Sequence, residues 1–326
     1  VMGPGARALD AASPKESTGK MKLTYYAGDP PNFGDEINAT MWHHLLPPGL
    51  LDADEDELFL GIGSILWDYL PKKPRKFVAG SGFGGYTAAP DVHDGSWEIL
   101  WVRGPETARV LGIDPGLAIT DAAVLLRATP LPAAPVRSGI AFMPHVESIP
   151  RGAWADVCAQ AGVTFLDPRA PVEELLAHIR GAEFLITEAM HGAIVADALR
   201  TPWVPVLPFH HINRAKWNDW GSSLDLTLSN VSLFPSTLRE AWVSRTGLLA
   251  MGQRSQMIFD SVVIRQCDQL VTARAAAKLA KVVKEAAPQL SADSVIERAT
   301  ERALHGLDSF VARRSPMAET QRTVRA

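Results

Sequence analysis

At 326 residues, the chain is long enough to form two domains that each bury a core of their own. Hydrophobic residues make up 47% of it and charged residues 21%, a composition typical of a soluble globular protein. The formal net charge of −4 gives no overall attraction for nucleic acid or an anionic membrane, so no nucleic-acid partner is expected. No apolar stretch approaches the roughly 18 residues that span a bilayer, so any membrane contact should be peripheral.

The two cysteines, Cys158 and Cys267, lie far apart and fit neither a disulfide framework nor a metal-binding spacing. The histidines form no three-ligand cluster at metal spacing, so no metal site is predicted. Such cysteine usage is compatible with a reducing cytoplasm.

The N-terminal region is rich in glycine, proline, alanine and serine, and it lacks the apolar segment of a signal peptide. We predict a disordered leader over residues 1–21, with Met21 as the natural start. An N-terminal domain is predicted over residues 22–130. In chain order, its elements are a strand over 22–27, a helix over 35–46, an acidic solvated segment over 52–57, and strands over 58–61, 77–80 and 97–102.

A stretch rich in proline and alanine, residues 126–135, is predicted to link this domain to a C-terminal domain over residues 136–250. Strands alternating with helices favour parallel sheets, so the sequence predicts an α/β protein with two Rossmann-like domains facing a cleft. Residues 251–326 are predicted to form a helical tail. One docked face of that tail has helical spacing: Ile296, Thr300, Ala303, Leu307 and Phe310. The elements of the second domain are strands over 138–143, 163–166, 184–187 and 203–207 and helices over 153–161 and 172–180.

The most informative segment is the elbow after the strand over 184–187, where Glu188 and His191 precede a helix of small residues. Ligands of open α/β sheets bind where a parallel strand ends and a helix begins. His145 follows another strand of the same domain, so the two histidines are predicted to share a rim. Either one could exchange a proton near neutral pH.

A similar elbow near the start of the chain carries Asn32, Asp35 and Asn38 at the beginning of a helix. One interpretation is helix capping and compensation of the helix dipole. The other is that the three side chains bind sugar hydroxyls, or that Asp35 acts as a base. The sequence does not choose between these two interpretations.

Glycines also follow the predicted strands, among them Gly61 and Gly63, and glycine permits close backbone approach to a ligand. Turn glycines without a ligand are the alternative. Arg103 ends an apolar strand, where it could bind a carboxylate or phosphate through two hydrogen bonds, or form a salt bridge to a neighbouring helix. Arg214 and Lys216 stand beside two tryptophans, a combination that suits either phosphate and sugar contact or packing in the core.

Five short motifs in this order resemble the polysaccharide pyruvyl transferase family, and in particular bacterial exopolysaccharide ketal-pyruvate transferases. The resemblance covers residues 22–225 and implies a fold like that of the GT-B glycosyltransferases. It rests on the segments Asn32-Phe33-Gly34-Asp35, Gly61-Ile62-Gly63-Ser64, Val102-Arg103-Gly104-Pro105-Glu106, Met143-Pro144-His145 and Glu188-Ala189-Met190-His191-Gly192-Ala193.

The resemblance implies transfer of pyruvate from phosphoenolpyruvate to two hydroxyls of a sugar, which forms a cyclic ketal and releases phosphate, with no cofactor. It places the acceptor in the N-terminal domain and the donor in the C-terminal domain. Arg103 would contact phosphoenolpyruvate, and His191 would match the histidine of an Arg-x-His-Gly motif. Ala189 stands where that motif has arginine, so Lys216 or Arg214 is expected to supply the missing charge, and Glu188 to reflect the same difference.

The implied chemistry needs an acid for the methylene carbon and a base for a sugar hydroxyl. We expect His191 to be the acid or to contact phosphate, and Asp35 or His145 to be the base. Family acceptors imply a polyprenyl-diphosphate-linked oligosaccharide at the cytoplasmic face of the membrane. Two alternatives stay open: a GT-B glycosyltransferase that uses a nucleotide sugar, and a non-catalytic partner in exopolysaccharide synthesis.

Overall fold

The computed structural model describes residues 20–132, 138–206, 214–248 and 252–314. Its first sheet is parallel, with strand order β2-β1-β3-β4-β5. The central strands are buried because their residues are apolar on both faces, as parallel strands covered by helices require. The strands are β1 (Met21–Thr24), β2 (Leu51–Asp52), β3 (Glu57–Leu60), β4 (Arg75–Ala79) and β5 (Trp97–Trp101).

The second sheet is also parallel, with order β7-β6-β8-β9. The mixed α/β fold with parallel sheets that the sequence predicts is therefore confirmed. The strands of this sheet are β6 (Gly139–Met143), β7 (Thr164–Phe165), β8 (Ala182–Thr187) and β9 (Trp203–Pro205).

Ten α-helices and three 3-10 helices lie within the described residues. None of these helices is long and apolar enough to cross a membrane. The α-helices are α1 (Phe33–Leu45), α2 (Pro105–Leu111), α3 (Trp154–Ala161), α4 (Val172–Gly181), α5 (Met190–Ala198), α6 (Arg214–Ser223), α7 (Leu238–Thr246), α8 (Gln253–Phe259), α9 (Val262–Glu285) and α10 (Asp293–Arg314). The 3-10 helices are Pro115–Leu117, Ala122–Ala128 and Val146–Ser148.

The two sheets share one hydrophobic cluster, which contains Ile37 and Phe59 on the first side and Met143 and Val195 on the second. Helix α5 packs against both α1 and the 3-10 helix Ala122–Ala128. It is apolar on nearly every face, as a helix enclosed on all sides must be. The first turn of α5 therefore meets the ends of N-terminal elements at a fixed boundary.

The tail returns to the first sheet. Helix α10 packs on β5 and the 3-10 helix Ala122–Ala128, and its Phe310 ring lies 5.1 Å from that of Phe77 between centroids. All five residues of the predicted docked face are buried, so that prediction is confirmed. Helix α9 packs instead on α3 of the second sheet.

Three details differ from the sequence predictions. Met21 belongs to β1 and is fully buried, so the leader does not extend to residue 21; residues 1–19 lie outside the described residues. Glu57, in the acidic segment predicted to be solvated, is buried in β3 and paired with Arg314. Leu126 is buried in a 3-10 helix rather than part of a linker, because it joins the cluster beneath α10.

Candidate active site

The boundary between the two halves brings His191 to Gly34. His191 is the second residue of α5, and its imidazole lies so close to Gly34 of α1 that a Cβ at residue 34 would overlap the ring. Helix α1 is held there by a hydrogen bond of 2.8 Å from the Phe33 N–H to the Pro168 carbonyl of the other half. Glycine at position 34 thus lets a histidine of one domain reach the helix N-terminus of the other.

Asp121 faces the same histidine. It is fully buried, and its Oδ1 accepts a hydrogen bond of 3.0 Å from the Ala123 N–H at the start of a 3-10 helix. Its Oδ2 lies 3.7 Å from His191 Nε2, and neither of these two buried atoms has a hydrogen-bond partner among the described residues. The buried carboxylate and the imidazole therefore face each other at the boundary between the two halves.

Asp35 completes the group from the first turn of α1. Its Oδ2 accepts a hydrogen bond of 2.7 Å from Asn32 Nδ2. Burial raises the pKa of Asp35 above its ordinary value, and the charges of His191 and Lys216 offset part of this rise. A carboxylate whose pKa moves towards neutrality is suited to proton transfer.

Gly63 and Lys216 are two further neighbours of Asp35. Gly63 has φ +131°, a conformation that favours glycine, and a Cβ there would lie 3.5 Å from Asp35 Oδ1. The Lys216 ammonium is 5.4 Å from the centre of the Tyr86 ring. Arg214, the first residue of the same helix α6, is exposed. Helix α6 therefore brings the charge of Lys216 close enough to influence Asp35.

Arg103 is engaged within the protein, and its contact with phosphoenolpyruvate stays a prediction. It is fully buried, and its Nε lies 3.1 Å from Asp219 Oδ2 of α6. Its terminal nitrogens donate to Ser64 Oγ (2.7 Å) and the Phe83 carbonyl (2.9 Å). The salt bridge to a helix, which the sequence left as the alternative, is the arrangement observed.

Asn38 and Gly61 also belong to the scaffold rather than to a sugar-binding surface. Asn38 is fully buried, with its amide bonded to Ile62 N–H (2.8 Å), Ile62 carbonyl (3.0 Å) and Trp42 Nε1 (2.9 Å). A Cβ at Gly61 would overlap Asn38 and Trp42. This network fixes the turn that carries Gly63, so both residues act on the site only indirectly.

Glu188 points away from the boundary, into the C-terminal half. Its Oε2 accepts hydrogen bonds from the His145 N–H (3.0 Å) and Ser148 Oγ (2.8 Å), while its Oε1 is buried and has no hydrogen-bond partner in the described part of the chain. Burial raises the pKa of Glu188 to about 8. His145 is half-buried, and its Nδ1 accepts the Glu147 N–H at 3.3 Å. Glu188 thus stabilises, through these hydrogen bonds, the loop that carries His145.

The raised pKa of Glu188 gives a pH-dependent stability. Folded Glu188 keeps its proton up to a pH of about 8, whereas the unfolded residue loses it near 4.5, so the free energy of unfolding should fall as pH rises between these values. Glutamine does not titrate, so Glu188→Gln should not lose stability in this way. The Tm of the variant minus the Tm of the wild type should therefore increase as pH rises from 5 to 8. Thermal unfolding across that range, with the exposed Glu183→Gln as control, measures the difference; parallel curves would contradict the assignment.

Asp121 is the residue that the sequence analysis missed. Residues 117–119 are apolar, and Ala118 forms a parallel bridge with Val102, which extends the first sheet by one pair. Thr120 follows, and Asp121 is the N-cap of the 3-10 helix Ala122–Ala128. This is the same pattern of a strand, an acid and a helix that marked Asp35 and Glu188, and only the shortness of the apolar run concealed it.

The described residues contain no group of three or more histidine, cysteine, aspartate or glutamate side chains that could hold a metal ion. The polar site instead consists of two carboxylates, an imidazole and an ammonium at the junction of two parallel α/β sheets. Such placement at strand and helix ends is characteristic of α/β enzymes. The fold and site therefore define a two-sheet α/β enzyme with acid–base groups at its domain boundary.

Comparison with known proteins identifies the family. The model of the polysaccharide pyruvyl transferase family matches residues 29–210, which include Asp35, Asp121 and His191. The succinoglycan biosynthesis protein ExoV of Rhizobium meliloti (strain 1021) is 36% identical over 316 residues, covering 89% of this chain and 98% of that protein. The chain belongs to the polysaccharide pyruvyl transferase family and is a polysaccharide pyruvyl transferase. These matches support a role in exopolysaccharide synthesis.

Two solved structures of the glycosyltransferase TibC also align with the chain. The iron-containing heptosyltransferase TibC with ADP-D-β-D-heptose is 14% identical, with a TM-score of 0.34, over 86% of this chain and 78% of that one. TibC from enterotoxigenic E. coli H10407 is 15% identical, with a TM-score of 0.32, over 81% and 77%.

Proposed function

We propose that the enzyme transfers pyruvate from phosphoenolpyruvate to two hydroxyls of one sugar in an exopolysaccharide repeat unit, forming a cyclic ketal and releasing phosphate. The observation that carries this proposal is the meeting of Asp35, Asp121 and His191 with Lys216 at the domain boundary. The reaction needs proton donors and acceptors beside a cation for an anionic donor, and these are the groups assembled there.

The chemistry balances with these groups alone. A proton adds to the methylene carbon of phosphoenolpyruvate and leaves a cationic centre at C2. One sugar hydroxyl attacks C2 and loses its proton, the C2–O bond to phosphate breaks, and the second hydroxyl attacks the same carbon. One hydroxyl proton replaces the proton given to the methylene carbon, and the other leaves with inorganic phosphate. No oxidant or reductant is needed.

Asp35 is the better base of the two that the sequence offered. Its raised pKa and its place beside His191 support proton exchange with a substrate at the boundary. His145 is attached instead to the Glu188 loop. His191 is assigned as the acid for the methylene carbon, and Lys216 as the cation that replaces the family arginine at Ala189.

The acceptor is proposed to be a polyprenyl-diphosphate-linked oligosaccharide on the cytoplasmic side of the membrane. This part of the proposal rests on the family and on the relative's role in succinoglycan biosynthesis. Peripheral membrane contact would then let a chain without a described membrane-spanning helix reach a lipid-linked substrate.

A thermal-shift titration with phosphoenolpyruvate and a panel of nucleotide sugars tests the donor. A ligand that binds only the folded state raises the Tm. We expect phosphoenolpyruvate to raise it and Lys216→Gln to weaken this effect, while Lys281→Gln, which removes an exposed lysine of α9, should not. Stabilisation by a nucleotide sugar alone would favour a glycosyltransferase, and phosphoenolpyruvate binding without phosphate release in the presence of acceptor would favour a non-catalytic partner.

Asp121 is assigned as the residue that positions His191, and Asp121→Asn tests this role. Asparagine keeps an oxygen for the Ala123 N–H but removes the charge that faces His191. We expect kcat to fall by about 10–10²-fold with little change in the KM for phosphoenolpyruvate, since the effect acts through proton transfer.

A matched control for this variant is Asp114→Asn. Asp114 Oδ1 caps another 3-10 helix by accepting the Gly116 N–H at 2.8 Å, but the residue is exposed. Equal losses of kcat in the two variants would show that Asp121 serves only as a cap. Recovery of kcat in Asp121→Glu would instead support the role of the charge.

A further inference from the structure

Helix α8 and the first ten residues of α9 form a hairpin at the surface, and we call residues 253–271 the apical hairpin. None of its described side chains is buried, and burial along α9 begins only at Thr272. Those first ten residues of α9 span about 15 Å at 1.5 Å per residue.

The hairpin carries an unusual set of side chains. Five large aliphatic residues lie on it with 61–77% of their surface exposed: Met257, Ile258, Val262, Val263 and Leu270. Four of them flank the turn between α8 and α9. Among the described residues, the one other exposed large aliphatic side chain is Leu248, just before the hairpin, and Trp242 of α7 is half exposed. Such a concentration of exposed apolar surface marks an interaction site.

Charge near the hairpin favours an anionic partner. Its two acids are already engaged, since Asp260 lies 3.7 Å from Arg239 and Asp268 accepts the Leu238 N–H at 2.7 Å. Arg245 and Arg265 are exposed and form no ion pair within the described ranges. Arginine beside aliphatic and tryptophan side chains is the composition of elements that lie in a membrane interface.

Charge distinguishes an anionic bilayer from a second copy of the chain. Two copies that paired through this surface would place Arg245 and Arg265 of both copies at one interface, whereas an anionic bilayer offers a phosphate to each arginine. A bilayer also needs no preformed groove, because its headgroups part around an inserted side chain.

We propose that the apical hairpin is a membrane-docking element that inserts its apolar turn into the headgroup region of an anionic bilayer, with Arg245 and Arg265 contacting lipid phosphates. The inference goes beyond the proposed reaction and does not depend on its donor. It names the surface through which the enzyme would meet a membrane-bound substrate.

Flotation of the full chain with lipid vesicles tests the docking. We expect the protein to float with vesicles of phosphatidylcholine mixed with phosphatidylglycerol, and less with phosphatidylcholine alone. The double variant Ile258→Ser and Val262→Ser should reduce the bound fraction at least ~10-fold through the loss of apolar burial. Arg265→Gln should weaken binding to the anionic vesicles alone.

The control is Tyr69→Ser, which removes an apolar side chain of 65% exposure from the first domain. Because none of the substituted side chains is buried, the Tm should not change, so a loss of binding reports the surface itself. Absence of vesicle binding by the wild type, or equal binding by the double variant, would overturn the proposal. A wild-type dimer that the double variant abolishes would assign the surface to a second copy instead. Donor binding and phosphate release are measured without vesicles, so failure of docking is distinct from failure of the proposed function.

Discussion

Asparagine in place of Asp35 should lower kcat by about 10²–10⁴-fold, the range by which general acid–base groups contribute. The substitution keeps the size of the side chain and its contact with Asn32, which lies 2.7 Å away. It removes the carboxylate that burial and the neighbouring charges keep ready to exchange a proton. Because binding of phosphoenolpyruvate depends mainly on cations, its dissociation constant should change little.

The measurement is phosphate release from phosphoenolpyruvate with a lipid-linked oligosaccharide fraction as acceptor. Glu36→Gln is the control, since Glu36 lies in the same first turn of α1 and contributes equally to the helix dipole. A near-normal kcat in Asp35→Asn would exclude Asp35 as the base and leave His145 as the candidate. Loss of turnover in both variants would point to the helix terminus rather than to one carboxylate.

The alternation of strands and helices predicts most of this fold, because each element has a local signature. Apolar runs such as Phe184–Thr187 give the parallel strands, and the tail face is recognisable from helical spacing. What the sequence could not show is which elements of distant sequence meet. Helix α10 covers the first sheet rather than standing apart, and this depends on long-range packing of residues such as Phe310 against Phe77.

The sequence predicted the site only in part, because the site also depends on contacts between residues that are distant in sequence. Asp35 and His191 each stand at an elbow that the sequence marks, but their meeting through Gly34 becomes visible only in three dimensions. The close approach that glycine permits was expected to serve a ligand. At several elbows it serves the protein's own side chains instead: Gly34 accommodates His191, and Gly82 accommodates the Arg103 guanidinium.

Arg103 shows why residue type at a strand end does not settle a role. An arginine at that place can bind an anionic substrate or an internal carboxylate, and the choice depended on Asp219, 116 residues away. Asp219 lies on α6, one turn after Lys216, so the buried pair fixes the helix that carries the proposed donor-binding cation. Substitutions of Arg103 should therefore weaken phosphoenolpyruvate binding without any direct contact.

Asp219→Ala should destabilise the protein by about 3–5 kcal/mol, the cost of leaving a buried charge without its partner. Arg103 is fully buried, and Asp219 also accepts hydrogen bonds from the N–H groups of Glu106 (2.9 Å) and Thr107 (3.0 Å) at the start of α2. Denaturant unfolding measures the loss. The control is Glu106→Ala, which breaks an exposed pair with Arg109 on the same helix and should cost much less stability than Asp219→Ala.

The double variant Arg103→Leu with Asp219→Leu separates the two roles of the pair. Replacing both charges by apolar side chains removes the unpaired charge, so much of the stability should return. Donor binding should stay weak if the pair acts by orienting Lys216, because leucines do not reproduce the hydrogen bonds that fix α6. Recovery of both stability and donor binding in the double variant would show instead that the pair does not act by orienting Lys216.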